Sequence, residues 1–169
     1  MKLLYIKASP RIGSSAIKVA DAYLAALKKK NPQLEVDAID PWNAGLPEFD
    51  GNKANAKMTV IYGKTNEGAQ AEHWAQVTAI SKRFIAADRY LFAVPMWNGG
   101  IPYKLKQYID LVHQPALTFG LDPAKGYSGL LKDKKATIVY TSGAFAPSMP
   151  SPAFGIDHQS TFMTAWLNQ

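Results

Sequence analysis

The amino-acid sequence predicts one α/β domain built on a parallel β-sheet with helices on both faces. Three observations predict it. Short apolar runs alternate with segments whose apolar residues recur every three or four positions. The most central run is apolar on both faces, as a buried parallel strand requires. The first, third and fourth such runs each give way at once to a cluster rich in Ser, Pro, Asn or Gly. Alternation of strand, helix and strand, with helices long enough to cross over, makes a sheet covered on both sides. The 169 residues, 47% hydrophobic and 19% charged, suffice for one sizeable core, so residues 1–169 read as a single domain.

Residues 2–7 form an apolar run bounded by lysines, a short buried strand, and Ala8-Ser9-Pro10-Arg11-Ile12-Gly13-Ser14-Ser15 turns the chain. Ile17, Ala20, Leu24 and Leu27 then lie on one helix face until Lys28, Lys29, Lys30 and Asn31-Pro32 end it, the lysines suiting the negative end of the helix dipole. Residues 34–39 alternate apolar and polar and predict a second strand at a sheet edge. Residues 41–51 are a loop. Residues 58–62 are β-branched but sit between polar, helical-looking stretches, and are assigned to helix. Trp74, Val77, Ile80 and Phe84 mark an amphipathic helix over 69–87, and 89–94 is the third strand. Ile101-Pro102 opens a helix carrying Leu105, Ile109 and Val112 on one side. Residues 113–131 read as a long connection with Gly120, Pro123, Gly126 and Gly129. Residues 136–140 form a fourth buried strand, and a Ser/Pro-rich loop leads to a last helix over 157–167.

Several functions are excluded by composition. Without cysteine there is no thiolate metal site, iron–sulfur cluster or Cys nucleophile, so redox chemistry requires a bound cofactor. His73, His113 and His158 show no metal-ligand spacing, and no metal is expected. The amino-terminal apolar run is too short for a signal-peptide core and no stretch approaches a membrane span, so a soluble, cytoplasmic protein is expected, with no membrane partner. The net charge of +6 would attract polyanions, but its cations cluster at helix ends and loops without a basic stripe between aromatics, so nucleic acid is not expected as a partner.

Ligands of such sheets lie outside the carboxyl ends of the strands. After the first strand, Ser9, Ser14 and Ser15 precede a helix whose N–H groups and dipole favour a phosphate. The loop has neither GxxxxGK[ST] nor GxGxxG spacing, which points to a monophosphate; simple helix capping explains the same serines. After the third strand, Met96-Trp97-Asn98-Gly99-Gly100 offers soft and flat side chains with Asn and close backbone donors, as a flavin ring needs. An ordinary strand end with a glycine turn has the same composition.

Ser9-Pro10-Arg11 with Ser15 six positions beyond Ser9, the run from Asp40-Pro41-Trp42-Asn43 to Leu46-Pro47-Glu48-Phe49-Asp50, Ala87-Asp88, Pro95-Met96-Trp97-Asn98, Ile101-Pro102, Leu105-Lys106, Tyr108-Ile109-Asp110, Thr118-Phe119 and Thr141-Ser142-Gly143 together resemble the FMN-dependent NAD(P)H azoreductase/quinone reductase family. The resemblance implies a flavodoxin-like fold with strand order 2-1-3-4-(5), and a homodimer with FMN near the subunit interface. It also implies ping-pong transfer of two electrons from NADH or NADPH to a quinone or azo compound. Carried over residue by residue, phosphate contacts fall on Ser9, Ser15, Ala16 and Ile17, flavin-ring contacts on Pro95, Met96, Trp97, Asn98 and Gly99, and the loop after strand four on Ser142 and Gly143. No side chain is assigned as catalytic acid or base. Ile17 replaces a second serine of the family, and Ala144 stands where many members have glycine. The family's fifth strand and final helix are not found before Gln169, which leaves strand four at an edge. Trp42, Phe119 and Phe145 are candidates for the acceptor pocket or for ordinary packing, and His158 for the active-site loop or a helix cap. A flavodoxin-type electron carrier and a flavin-free interaction domain are the alternatives. The carrier typically needs an acidic surface, against which the basic balance argues.

Overall fold

The structure, a computed structural model, describes residues 1–146, 148–150 and 153–168. The chain runs β1 (Lys2–Lys7), α1 (Ser15–Lys30), β2 (Glu35–Ile39), α2 (Gly51–Ile61), α3 (Gly68–Ile85), β3 (Arg89–Pro95), α4 (Tyr103–Val112), β4 (Phe119–Asp122), β5 (Gly126–Gly129), β6 (Lys135–Thr141) and α5 (His158–Leu167). Strands β2, β1, β3 and β6 form one parallel sheet in that order, Tyr5 of β1 standing opposite Ala38 of β2 and Leu91 of β3.

Strand periodicity divides the core in two. Leu4, Ile6, Tyr90, Phe92 and Val94 point to one face, packed with Phe84, Tyr108, Ile109 and Met163 of α3, α4 and α5. Leu3, Tyr5, Leu91 and Ala93 point to the other, against Ala16 and Ala20 of α1. Each large side chain buried in this way stabilises the fold by about 1.5–3 kcal/mol relative to exposure. The small residues on α1 let that helix sit close to the strands.

Two expectations need correction. In chain numbering the sheet order is β2-β1-β3-β6 rather than 2-1-3-4-(5): two further strands intervene in sequence and lie outside the main sheet, so the expected fourth strand, residues 136–140, is β6. They occupy the stretch expected to be a plain connection: β4 and β5 form a separate antiparallel hairpin, Phe119 facing Gly129 and Asp122 facing Gly126. Its turn is set by Asp122, whose carboxylate accepts from the N–H groups of Ala124 and Lys125, and by Gly126 at φ +82°. Glycine-rich, half-polar strands of four residues give little periodic signal. The ambiguous segment at 58–62 is helical up to Ile61, the last residue of α2, with Tyr62 as its C-cap; the helix is started by the Asp50 carboxylate accepting from Lys53 N–H. No helix among the described residues is long and apolar enough to cross a membrane.

Candidate functional site

The carboxyl ends of β1, β3 and β6 surround a cleft of about 290 Å³ lined by Ser9, Arg11, Ser14, Ser15, Pro95, Met96, Trp97, Thr141, Ser142 and Gly143. Strand order reverses between β1 and β3, whose next connections cross to opposite faces, so the loops splay apart at this point.

One end of the cleft is a set of unspent donors. Ser14 occupies the N-cap position of α1, yet its side chain makes no capping hydrogen bond. The first N–H of α1 with an acceptor is that of Lys18, bonded to the Ser14 carbonyl at 3.0 Å. Among the described residues the N–H groups of Ser15, Ala16 and Ile17 have none. Ala16 and Ile17 turn their side chains into the core beneath α1, so what they can offer a ligand is backbone. Ser9 is buried, its Oγ accepting, among the described residues, only a long 3.4 Å contact from Arg11 N–H. Arg11 was not singled out from the sequence; it is exposed at the cleft wall, without an ion-pair partner among the described residues. Three free N–H groups, three serines and a guanidinium match a phosphate.

The middle is a platform. Pro95, Met96 and Trp97 wall the cleft, and Met96 N–H donates to the Thr141 carbonyl at 2.7 Å, which fixes the β3 loop to the β6 loop. Asn98 and Gly99 do not line the cleft. They form the tight turn behind it, Asn98 at φ +49° and Gly99 at φ +82°, closed by reciprocal 2.9 Å bonds between Trp97 and Gly100. The α5 segment docks on this turn through His158 N–H to the Gly99 carbonyl, 2.9 Å. Trp42 supports Trp97, with ring centroids 5.2 Å apart, packs edge-on against Tyr103 at 4.9 Å, and donates Nε1–H to the Ala8 carbonyl at 3.0 Å.

The third wall is the loop after β6. Ser142 Oγ accepts from Ala144 and Phe145 N–H, at 3.3 and 2.9 Å, and shapes a short turn that leaves the Gly143 N–H without an acceptor among the described residues. Phe145 faces a neighbouring cleft with Tyr140, Asp157 and Gln159 rather than this one. Burial there pushes the Tyr140 phenol up, and the Asp157 carboxylate adds to the shift. Phe119 is buried against His113, ring centroids 4.5 Å apart, and is not in the cleft. Among the described residues no cluster of three or more His, Asp and Glu side chains could hold a metal ion.

Of the eleven residues expected at the site, seven line the cleft, two contribute its free backbone donors and two form the turn behind it. Ser14, Arg11 and Thr141 complete the wall. Ser14 was already a candidate hydroxyl of the first loop, whereas Arg11 and Thr141 stood only among the residues that carry the resemblance; the register of β6 with β3 sets Thr141 opposite Pro95.

The family profile described as flavodoxin-like fold matches residues 1–169. The chain is 47% identical over 167 residues to the FMN-dependent NADH:quinone oxidoreductase of Ruegeria pomeroyi, spanning 98% of this chain and 81% of the relative. It is 38% identical to the protein of the same name from Desulfotalea psychrophila, over 99% of this chain and 78% of the relative. Among solved structures, the azoreductase from Bacillus anthracis superposes with a TM-score of 0.85 at 26% identity, over 98% of this chain and 79% of that one. An end-to-end family match and close relatives covering nearly the whole chain agree with the cleft, and the chain belongs to the flavodoxin-like family of FMN-dependent NADH:quinone oxidoreductases and azoreductases.

Proposed function

We propose that the protein is an FMN-dependent oxidoreductase that moves two electrons from NADH or NADPH to quinones or azo compounds. The observation that carries this is the conjunction, in one cleft, of a phosphate cradle with unspent donors and a soft aromatic platform. The residues present fit the mononucleotide. Ser9, Arg11, Ser14, Ser15 and the N–H groups of Ala16 and Ile17 hold its phosphate, and Pro95, Met96 and Trp97, braced by the Asn98–Gly99 turn, carry its ring. The chemistry that bound FMN supplies is two-electron transfer, from the nicotinamide to the acceptor in ping-pong order.

The chain's part is positioning and electrostatics. The N–H of Gly143, with Ser142 beside it in the cleft wall, would stabilise negative charge that develops on a bound flavin. Trp42, Trp97 and Tyr103 form an aromatic ledge beside the cleft on which nicotinamide and acceptor can lie in turn. No side chain is assigned as an obligatory acid or base. A homodimer with the cofactor near the subunit interface and a cytoplasmic location belong to the same proposal, to be tested by light scattering and by cell fractionation.

The purified protein should be yellow, release flavin on denaturation, and oxidise NADH only when menadione or an azo dye is added. Stopped-flow reduction of the flavin by each nucleotide reports its preference. A protein that neither carries nor takes up FMN refutes the proposal; one that takes up FMN but turns over no acceptor is an electron carrier instead.

A further inference from the structure

A second cleft, of about 320 Å³, lies between α2, α4 and α5 and shares no lining residue with the flavin cleft. Its walls are Lys57, Lys106, Ile109, Asp110, His113, Phe162, Ala165 and Trp166. Lys57 is its unusual member. The ammonium group is half-buried and donates one hydrogen bond, to the His113 carbonyl at 3.1 Å. The faces of Phe119 and Phe49 lie 5.5 and 5.8 Å away. Among the described residues no carboxylate is in ion-pair contact with it. The nearby Asp110 is already committed to Lys106, at 2.6 and 2.8 Å. Two lysines against one carboxylate leave one uncompensated positive charge in a partly desolvated pocket, which is costly unless an anion completes it. Burial holds the Lys57 pKa below its ordinary value; the pull of Asp110 opposes this, and repulsion from Lys106 adds a smaller push in the same direction as burial. Burial and both lysines also press the His113 imidazole toward its neutral form.

The rest of the pocket is apolar and aromatic: Phe162, with the Lys106 ammonium 6.0 Å from its ring, then Trp166, Ile109 and Ala165. A charged head beside flat apolar walls selects for a ligand of the same make-up. We propose that this cleft is a second binding site, for a small aromatic anion of one or two rings whose carboxylate or sulfonate pairs with Lys57 while its rings pack on Phe162 and Trp166. It does not depend on the flavin assignment.

Calorimetric titration with 2-naphthoate, with naphthalene-2-sulfonate and with neutral 2-naphthamide tests this on the protein as purified and on the protein saturated with FMN. The wild type should bind at least one of the anions about ten- to hundred-fold more tightly than the amide, the range expected of a charge-assisted contact. The better anion identifies the head group. Binding should be unchanged by FMN and should shift the Trp166 indole N–H resonance. Lys57→Met should abolish the preference for the anion while leaving FMN affinity unaltered. Equal binding of anion and amide, no binding at all, displacement by FMN, or a preference that survives in a folded Lys57→Met variant would each overturn the assignment. The wild-type comparison of anion with amide stands even if that variant does not fold.

Discussion

Gly99→Ala probes the turn on which the proposed ring platform depends. Gly99 sits at φ +82°, where an L side chain is strained by about 1–3 kcal/mol. A methyl there also meets the Ile156 carbonyl oxygen at 3.4 Å and His158 Cδ2 at 3.8 Å. The first of these is backbone, and the adjoining chain is tied to Gly99 by the His158 N–H bond, so relief requires the start of α5 to move. The contact is tight rather than impossible, and the conformational term dominates. A loss of about 1–3 kcal/mol should lower Tm by roughly 2–12 °C in a domain of this size. The measurement is thermal and urea unfolding of the apoprotein, with FMN affinity determined separately. Asn98→Gly at φ +49° is the control: it removes strain at the other turn position and should leave Tm nearly unchanged or raised. If Gly99→Ala leaves both Tm and FMN affinity at wild-type values, neither the turn geometry nor its role in bracing Trp97 is as described.

Three other outcomes follow from particular contacts. Arg11→Gln should weaken FMN binding by about ten-fold or more but leave riboflavin binding unchanged, since only the phosphate pairs with the guanidinium; equal losses for both ligands would remove Arg11 from the phosphate site. Trp42→Phe deletes the 3.0 Å bond to the Ala8 carbonyl and part of the contact with Trp97, and should cost about 1–3 kcal/mol in urea unfolding; an unchanged midpoint would mean that the loop is not anchored by this ring. The Arg83 guanidinium, at 2.6 and 3.0 Å, holds the Asp37 carboxyl below the ordinary carboxylate range. A carboxylate so depressed stabilises the fold above its unfolded pKa of about 3.9, and that contribution is lost as pH falls through the folded value. Asp37→Asn should therefore lower the urea midpoint at neutral pH, with the gap to wild type closing below pH ~4. A gap constant across this range would show that the pair is not the source.

The parts of the molecule that were legible in the sequence are those whose signal is local. Tyr90, Leu91, Phe92, Ala93 and Val94 are buried because a central strand has two covered faces, and an uninterrupted apolar run states that directly. The spacing of Trp74, Val77, Ile80 and Phe84 likewise follows from the helix period within α3. The β4–β5 hairpin escaped because Gly126-Tyr127-Ser128-Gly129 is held as a strand by its partner and not by its own propensity.

The site divides in the same way. The sequence by itself determined the α/β class, the carboxyl-end loops as the place to look, and the serines, Met96 and Trp97 as the residues to look at, because strand, turn and helix patterns are written in neighbouring positions. Only the tertiary structure decided that Ser14 leaves its capping bond unmade, that Thr141 faces the β3 loop and closes the wall, and that Asn98 and Gly99 brace the platform from behind. It alone also left Lys57 facing aromatic rings and a carbonyl with no carboxylate of the described residues in contact. Such facts are set by which distant segments meet, and residues like Pro95 and Thr141, 46 positions apart in sequence, become neighbours only when the sheet forms.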